Sequence, residues 1–345
     1  IPLLKQWYQR RVHGDSNTFS RLKLTNYTTL FSTLPLFQHY STTMKITAAL
    51  ITLAGLALGV AANNDGGAAA KSNIDTTILN YALTLEYLEA DFYKGILARF
   101  DKHAFKAEGF NYATYQRVRE LARQEAVHVS TLQSVLGADA TSACQYSFPY
   151  DSVSSALALS SVLESVGVSA YLGAANKITD PAYLTAAGSI LAVEARHQAV
   201  ISEINTNIGF PSPFDTPLGF SQVYSLAAPF ITSCPESNPA LPVVQFGALT
   251  TGPVGPKLQL NFECNLGSTP LFAHIYSGLA TIIKPIAGDH TIDFPVDTLE
   301  AGVTYIVVST SSDMAVDANT INGPAIVNIA DRVQPLFYRR DYSRV

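Results

Sequence analysis

Ile190-Leu191-Ala192-Val193-Glu194-Ala195-Arg196-His197-Gln198-Ala199-Val200 sets a glutamate and a histidine three residues apart inside an apolar run. On a helix that spacing puts both side chains on one face, a single turn apart. Leaving the pair buried and unpartnered would cost on the order of several kcal/mol, which favours a compensating cation. The same motif occurs once more, as Glu125-Ala126-Val127-His128. Either motif alone is a weak signal, because a Glu-x-x-His in an acidic helix is usually a solvated pair. Two of them call for a search for further ligands.

Two other stretches supply carboxylates. Leu85-Glu86-Tyr87-Leu88-Glu89-Ala90-Asp91-Phe92-Tyr93 and Leu163-Glu164-Ser165-Val166-Gly167-Val168-Ser169-Ala170-Tyr171 superpose at an offset of 78, each with Tyr seven residues after its Leu-Glu. The two Glu-x-x-His segments superpose at an offset of 69. The first stretch alone leaves a choice between Glu86 and Glu89. The superposition selects Glu86, which falls on Glu164, whereas Glu89 falls on Gly167. One Glu from each of two helices plus Glu-x-x-His from each of two more is the arrangement of dimetal carboxylate proteins. The expected metal ligands are therefore Glu86, Glu125, His128, Glu164, Glu194 and His197. Four carboxylates and two imidazoles make a hard, anionic cage suited to two Fe or Mn ions. Tyr93 and Tyr171 either hydrogen-bond the ligands or pack as ordinary core aromatics. Arg196 either pairs with a ligand carboxylate or reaches solvent.

Apolar spacings of three and four predict helices over about 73–99, 112–137, 152–176 and 180–208. The tight turn at Thr179-Asp180-Pro181 makes the last two antiparallel neighbours. The second connection, of roughly 14 residues around Phe148-Pro149-Tyr150, reaches about 45 Å when extended. A helix of roughly 25 residues is about 37 Å long, so this segment can run its full length. Such a crossover gives a ferritin-like four-helix bundle over residues 72–208. Residues 209–256 form a connecting segment with nine prolines and one short helix near Tyr224-Ser225-Leu226-Ala227. Short β-prone runs follow at Lys257–Cys264, Leu271–Tyr276, Thr281–Pro285, Thr291–Phe294, Thr304–Ser309 and Ala325–Ile329. They predict a small all-β sandwich-like domain over 257–330, with a tail at 331–345.

The first methionine is Met44, and Lys45 followed by the apolar run Ile46 to Ala62 reads as a signal peptide over 44–62. Cleavage after Val60-Ala61-Ala62 would leave a 63–71 linker, no stable membrane span, and a secreted protein. A signal anchor and an organelle transit peptide are the competing readings. Residues 1–43 read as an upstream extension, which places the Asn26 sequon outside the mature protein. Residues 1–45 hold six Lys or Arg against Asp15 alone, so a chain of net charge −5 leaves −10 on the rest. A body that acidic repels phosphate backbones and disfavours nucleic acid as a partner. Of three cysteines, Cys144 and Cys234 lie in Pro-rich segments flanking the bundle and form the favoured disulfide, with Cys264 left over. The sequence has no Gly-rich phosphate loop, Gly-x-Ser-x-Gly elbow or His-Glu-x-x-His motif. His103, His274 and His290 lack partners at ligand spacing, and His103 reads as a solvated helix end.

Ile78 to Tyr93, Ala186 to His197, Pro213-Phe214-Asp215-Thr216-Pro217-Leu218 and Val223 to Phe230 resemble the secreted ferritin-like proteins known as fungal stress-response and plant desiccation-related proteins. The likeness covers roughly residues 72–250. It implies the fold, the metal site and an association with stress, without a defined reaction. Three functions then compete. One is a dimetal oxidoreductase acting on O2, peroxide or Fe(II). Another is a stress protein whose metals are structural. The third is an iron-storage cage, which the Pro-rich and β segments leave little room to assemble.

Overall fold

Residues 73–330 are described in a computed structural model of the chain. The expected extension over 1–43 with Asn26, the signal peptide, the 63–71 linker and the 331–345 tail lie outside them. The first helix, α1 (Asn73–Arg99), buries Ile78, Tyr81, Leu85, Leu88, Phe92 and Ile96, a ladder with helical period. A short helix unseen in the sequence pattern, α2 (Lys102–Ala107), starts where the Asp101 carboxylate accepts the His103 and Ala104 amides at 2.9 and 3.0 Å. His103 thus sits in the first turn of α2. The remaining long helices are α3 (Tyr112–Leu136), α4 (Val153–Ala174) and α5 (Pro181–Ile204). Asn111, Ser152 and Asp180 cap their starts. The last helix stops short of residue 208, because Thr206 adopts a left-handed φ of 64°.

Residues 137–152, between α3 and α4, run along α1. Near its start, Asn80 donates to Asp139 O at 2.9 Å and accepts from Thr141 N at 2.7 Å. At its end, Arg99 donates to Tyr150 O at 2.6 Å, with Phe92 packed edge-on against Phe148 and Tyr150 in between. The chain therefore returns to the end from which α1 exits, and α4 descends antiparallel to α1. Asp75 in the first turn of α1 accepts from Thr179 N at 2.7 Å and Asp180 N at 3.1 Å, which ties that turn to the α4–α5 connection. The crossover contains β1 (Gln145–Tyr146), paired antiparallel with β2 (Ile231–Ser233). Beside this pair Cys144 and Cys234 form a disulfide, and Cys264 is free.

The Pro-rich segment carries α6 (Phe220–Ala227), the short helix expected near Tyr224 but beginning four residues earlier. Just before α6 the backbone at Leu218 lies very close to α4 at Gly173, where an added Cβ would be 1.8 Å from Leu218 O. The C-terminal region holds two antiparallel sheets. One is β6 (Ala280–Pro285), β5 (Phe272–Ser277), β8 (Gly302–Ser309) and β9 (Thr320–Ile329), in that order. The other is β3 (Thr250–Thr251), β4 (Lys257–Asn261) and β7 (Thr291–Asp293), so pairing begins before residue 257. Leu258, Leu260, Ile275, Ile292, Ile306, Val308 and Val327 from both sheets share one core. On its other face β8 sends Tyr305 into the helical core, within 3.0 Å of Ser169 Oγ and donating to Ser165 O at 3.1 Å. The four-stranded sheet is thus a middle layer between helices and the smaller sheet.

Candidate metal centre

The four long helices each turn polar groups inward at mid-length, where an apolar stripe would otherwise continue. Glu86 comes from α1, Glu125 and His128 from α3, Glu164 from α4, and Glu194 and His197 from α5. All four glutamates are fully buried, and the histidines are 8% and 4% exposed. The six residues expected from the sequence come together as two overlapping groups. Glu86, Glu125, His128 and Glu194 form one, and Glu125, Glu164, Glu194 and His197 the other, with ligand atoms within 4.8 Å of one another in each. Glu125 and Glu194 belong to both.

The ring nitrogens fix which atoms face inward. His128 Nδ1 lies 3.0 Å from Glu194 Oε1, 3.2 Å from Glu125 Oε2 and 3.3 Å from Glu86 Oε2. His197 Nδ1 lies 2.8 Å from Glu125 Oε1 and 3.5 Å from Glu164 Oε2. His128 Nδ1 and Glu125 Oε2 are hydrogen-bonded at 3.2 Å, but most of the other facing atoms are not satisfied in this way. Glu86 Oε2, Glu125 Oε1, Glu164 Oε2, both Glu194 oxygens and His197 Nδ1 are buried with no hydrogen-bond partner. Six inward-facing orphan atoms of ligand type are costly unless something cationic sits among them, so the donor set fits two divalent ions.

Burial first, then repulsion from Glu125, pushes Glu194 well above the usual carboxylate range. Burial likewise raises Glu86 to about 7 and raises Glu164. Glu125 goes the other way: burial would raise it, but the two histidines beside it prevail and hold it at about 2. Burial alone would lower the histidines. The glutamates around them prevail, raising His128 to about 12 and His197 to about 10.

Tyr93 and Tyr171 are both core residues and ligand partners. Each reaches the glutamate of the opposite helix: Tyr93 donates to Glu164 Oε1, and Tyr171 to Glu86 Oε1. Ser160 adds a contact to the Tyr93 hydroxyl at 2.5 Å. Arg196 is exposed and reaches no ligand carboxylate within ion-pair distance.

Two participants were hidden by the internal superposition itself. Gln124 Oε1 accepts from His197 Nε2 at 2.7 Å, leaving Nδ1 free to face the carboxylates. Gln124 in turn donates to Glu120 at 2.9 Å, and Arg123 pairs with the same carboxylate at 2.5 Å. At the offset of 69, Gln124 falls on Val193, so the symmetry that finds the ligands gives no hint of this bond. The second is Glu89, 4% exposed, whose carboxylate occupies the room that Gly167 leaves open. A Cβ on Gly167 would meet Glu89 Oε1 at 2.9 Å and Glu194 Oε2 at 3.3 Å. Burial, then repulsion from Glu194, raises Glu89 far above its ordinary range. Glu89 falls outside both ligand groups.

One route leads in from solvent. A cavity of about 420 Å³ opens between α3 and α5, with His128 and His197 in its wall beside Arg117, Glu120, Arg123 and Arg196.

Comparison with known proteins agrees with this geometry. Protein rds1 of Schizosaccharomyces pombe (strain 972) is 29% identical over 224 residues, which cover 65% of this chain and 54% of the relative. The chain thus spans about half the length of that protein. The profile of the ferritin-like domain family matches residues 74–207, the segment that contains all six clustered residues. Residues 74–207 are a ferritin-like domain, followed by a C-terminal region of β-sheets.

Proposed function

We propose that the four long helices act as a four-helix bundle holding two Fe or Mn ions, and that the protein uses them on O2 or peroxide. The carrying observation is the set of six buried, unpartnered ligand atoms converging from four helices. Glu86, Glu125, Glu164 and Glu194 would supply four negative charges against two divalent cations, Glu125 and Glu194 belonging to both residue groups. His128 and His197 would each cap one position through Nδ1. Bound Fe or Mn supplies the capacity for one-electron change that side chains lack. The chain's part is positional: Tyr93 and Tyr171 hold the Glu164 and Glu86 carboxylates, and Gln124 fixes the His197 ring. The open approach to both histidines supports a reactive centre over a purely structural one. The resemblance noted from sequence supports a secreted, stress-associated role.

Elemental analysis of the purified chain tests the reading. Two Fe or Mn per chain are expected, with most of that metal lost in Glu125→Ala, followed by assays of peroxide decomposition and Fe(II) oxidation. A single zinc per chain, or metal content untouched by Glu125→Ala, would overturn it.

A further inference from the structure

The mouth above the centre has the opposite charge from the body that carries it. Residues 46–345 sum to −10, yet the cavity wall holds Arg117, Arg123 and Arg196 against Glu120 alone. Arg123 is spent on Glu120. Arg117 and Arg196 have no ion pair among the described residues, so two guanidinium charges face the opening uncompensated. Beneath them, His128 turns Nδ1 toward Glu125, Glu86 and Glu194. Its Nε2 has no protein partner among the described residues, and Val193 stands where Gln124 serves His197.

We propose that this mouth is a binding site for a small monoanion, which Arg117 and Arg196 steer inward and which accepts a hydrogen bond from His128 Nε2–H. The inference rests on the dimetal reading. Once two divalent ions balance the four glutamates, the floor is neutral and the arginines alone set the sign of the field. Charge on the walls of a low-dielectric cleft concentrates ions of opposite sign and repels those of like sign. The loaded centre then admits small anions, such as the one-electron or deprotonated forms of dioxygen and peroxide, and rejects free Fe(II).

The test is azide binding to the full chain loaded with Mn(II), followed by calorimetric titration, with metal content measured on the same samples. Wild-type protein should bind azide, and more weakly as salt is raised. The double variant Arg117→Gln/Arg196→Gln should bind it roughly tenfold less tightly, with a shallower salt dependence. Arg117→Lys/Arg196→Lys should restore most of the affinity, since steering needs the charge. Equal azide affinity in wild type and the Gln variant, at equal metal content, would overturn the anion site and leave the metal centre standing. A wild-type chain that retains no metal would remove the centre and this proposal together.

Discussion

Glu86 and Glu164 are held in mirrored fashion, each by a tyrosine from the other's helix. That reciprocity makes them equivalent, so Glu86→Ala and Glu164→Ala should each lower bound metal to a similar extent, read by elemental analysis. Loss in one and retention in the other would break the equivalence. Gly167 gives a sharper test. Gly167→Ala should press on both Glu89 and Glu194 and reduce metal content, and adding Glu89→Ala should restore it by vacating the space. Failure of the second change to rescue the first would show that Glu89 is not the group displaced. The protons matter too. Glu86 is raised to about 7, Glu194 and Glu164 are raised, and the neighbouring glutamates raise both histidines, so protons compete with ions for these atoms. Binding should therefore release protons and tighten as pH rises from 6 to 8, checked by Mn(II) calorimetry in buffers of different ionisation heat. Affinity independent of pH would contradict this protonation scheme.

At the level of elements, the long helices were legible because each repeats apolar residues at helical spacing over six or seven turns. Their ligands were legible because the two halves could be laid on each other. What the sequence hid is what tertiary pairing creates. Strands β1 and β2 are two and three residues long and exist because the crossover lies against the segment after α6. The six residues of α2 are too few to show a period, and only Asp101 marks them. Gln124 and Glu89 escaped for the opposite reason, since symmetry argued against looking there. The disulfide fastens this same crossover across a separation of 90 residues. Removing it with Cys144→Ser/Cys234→Ser should cost about 2–4 kcal/mol by chain-entropy reasoning, measured by chemical denaturation. An unchanged denaturation midpoint would mean that the β1–β2 pairing alone secures the segment.

At the scale of the whole molecule, the Tyr305 hydroxyl at Ser165 and Ser169 is a buried polar tie between the middle sheet and the helices. Tyr305→Phe keeps the ring and loses both contacts, at an expected cost of about 1–2 kcal/mol in denaturant unfolding. A neutral result would assign that interface to apolar packing alone. The internal repeat, meanwhile, is twofold in its ligands and one-sided in its surroundings. One histidine is braced from behind by Gln124, Glu120 and Arg123, while for its counterpart the offset of 69 puts an apolar Val193 in the place of Gln124, and His128 is the more exposed of the two. On the proposed two-metal reading, the two seats would therefore differ in how readily they are vacated. A chelator added to loaded protein should strip metal in two kinetic phases, the fast one from the seat beside His128. Gln124→Val, which makes the two sides alike, should merge the phases into one.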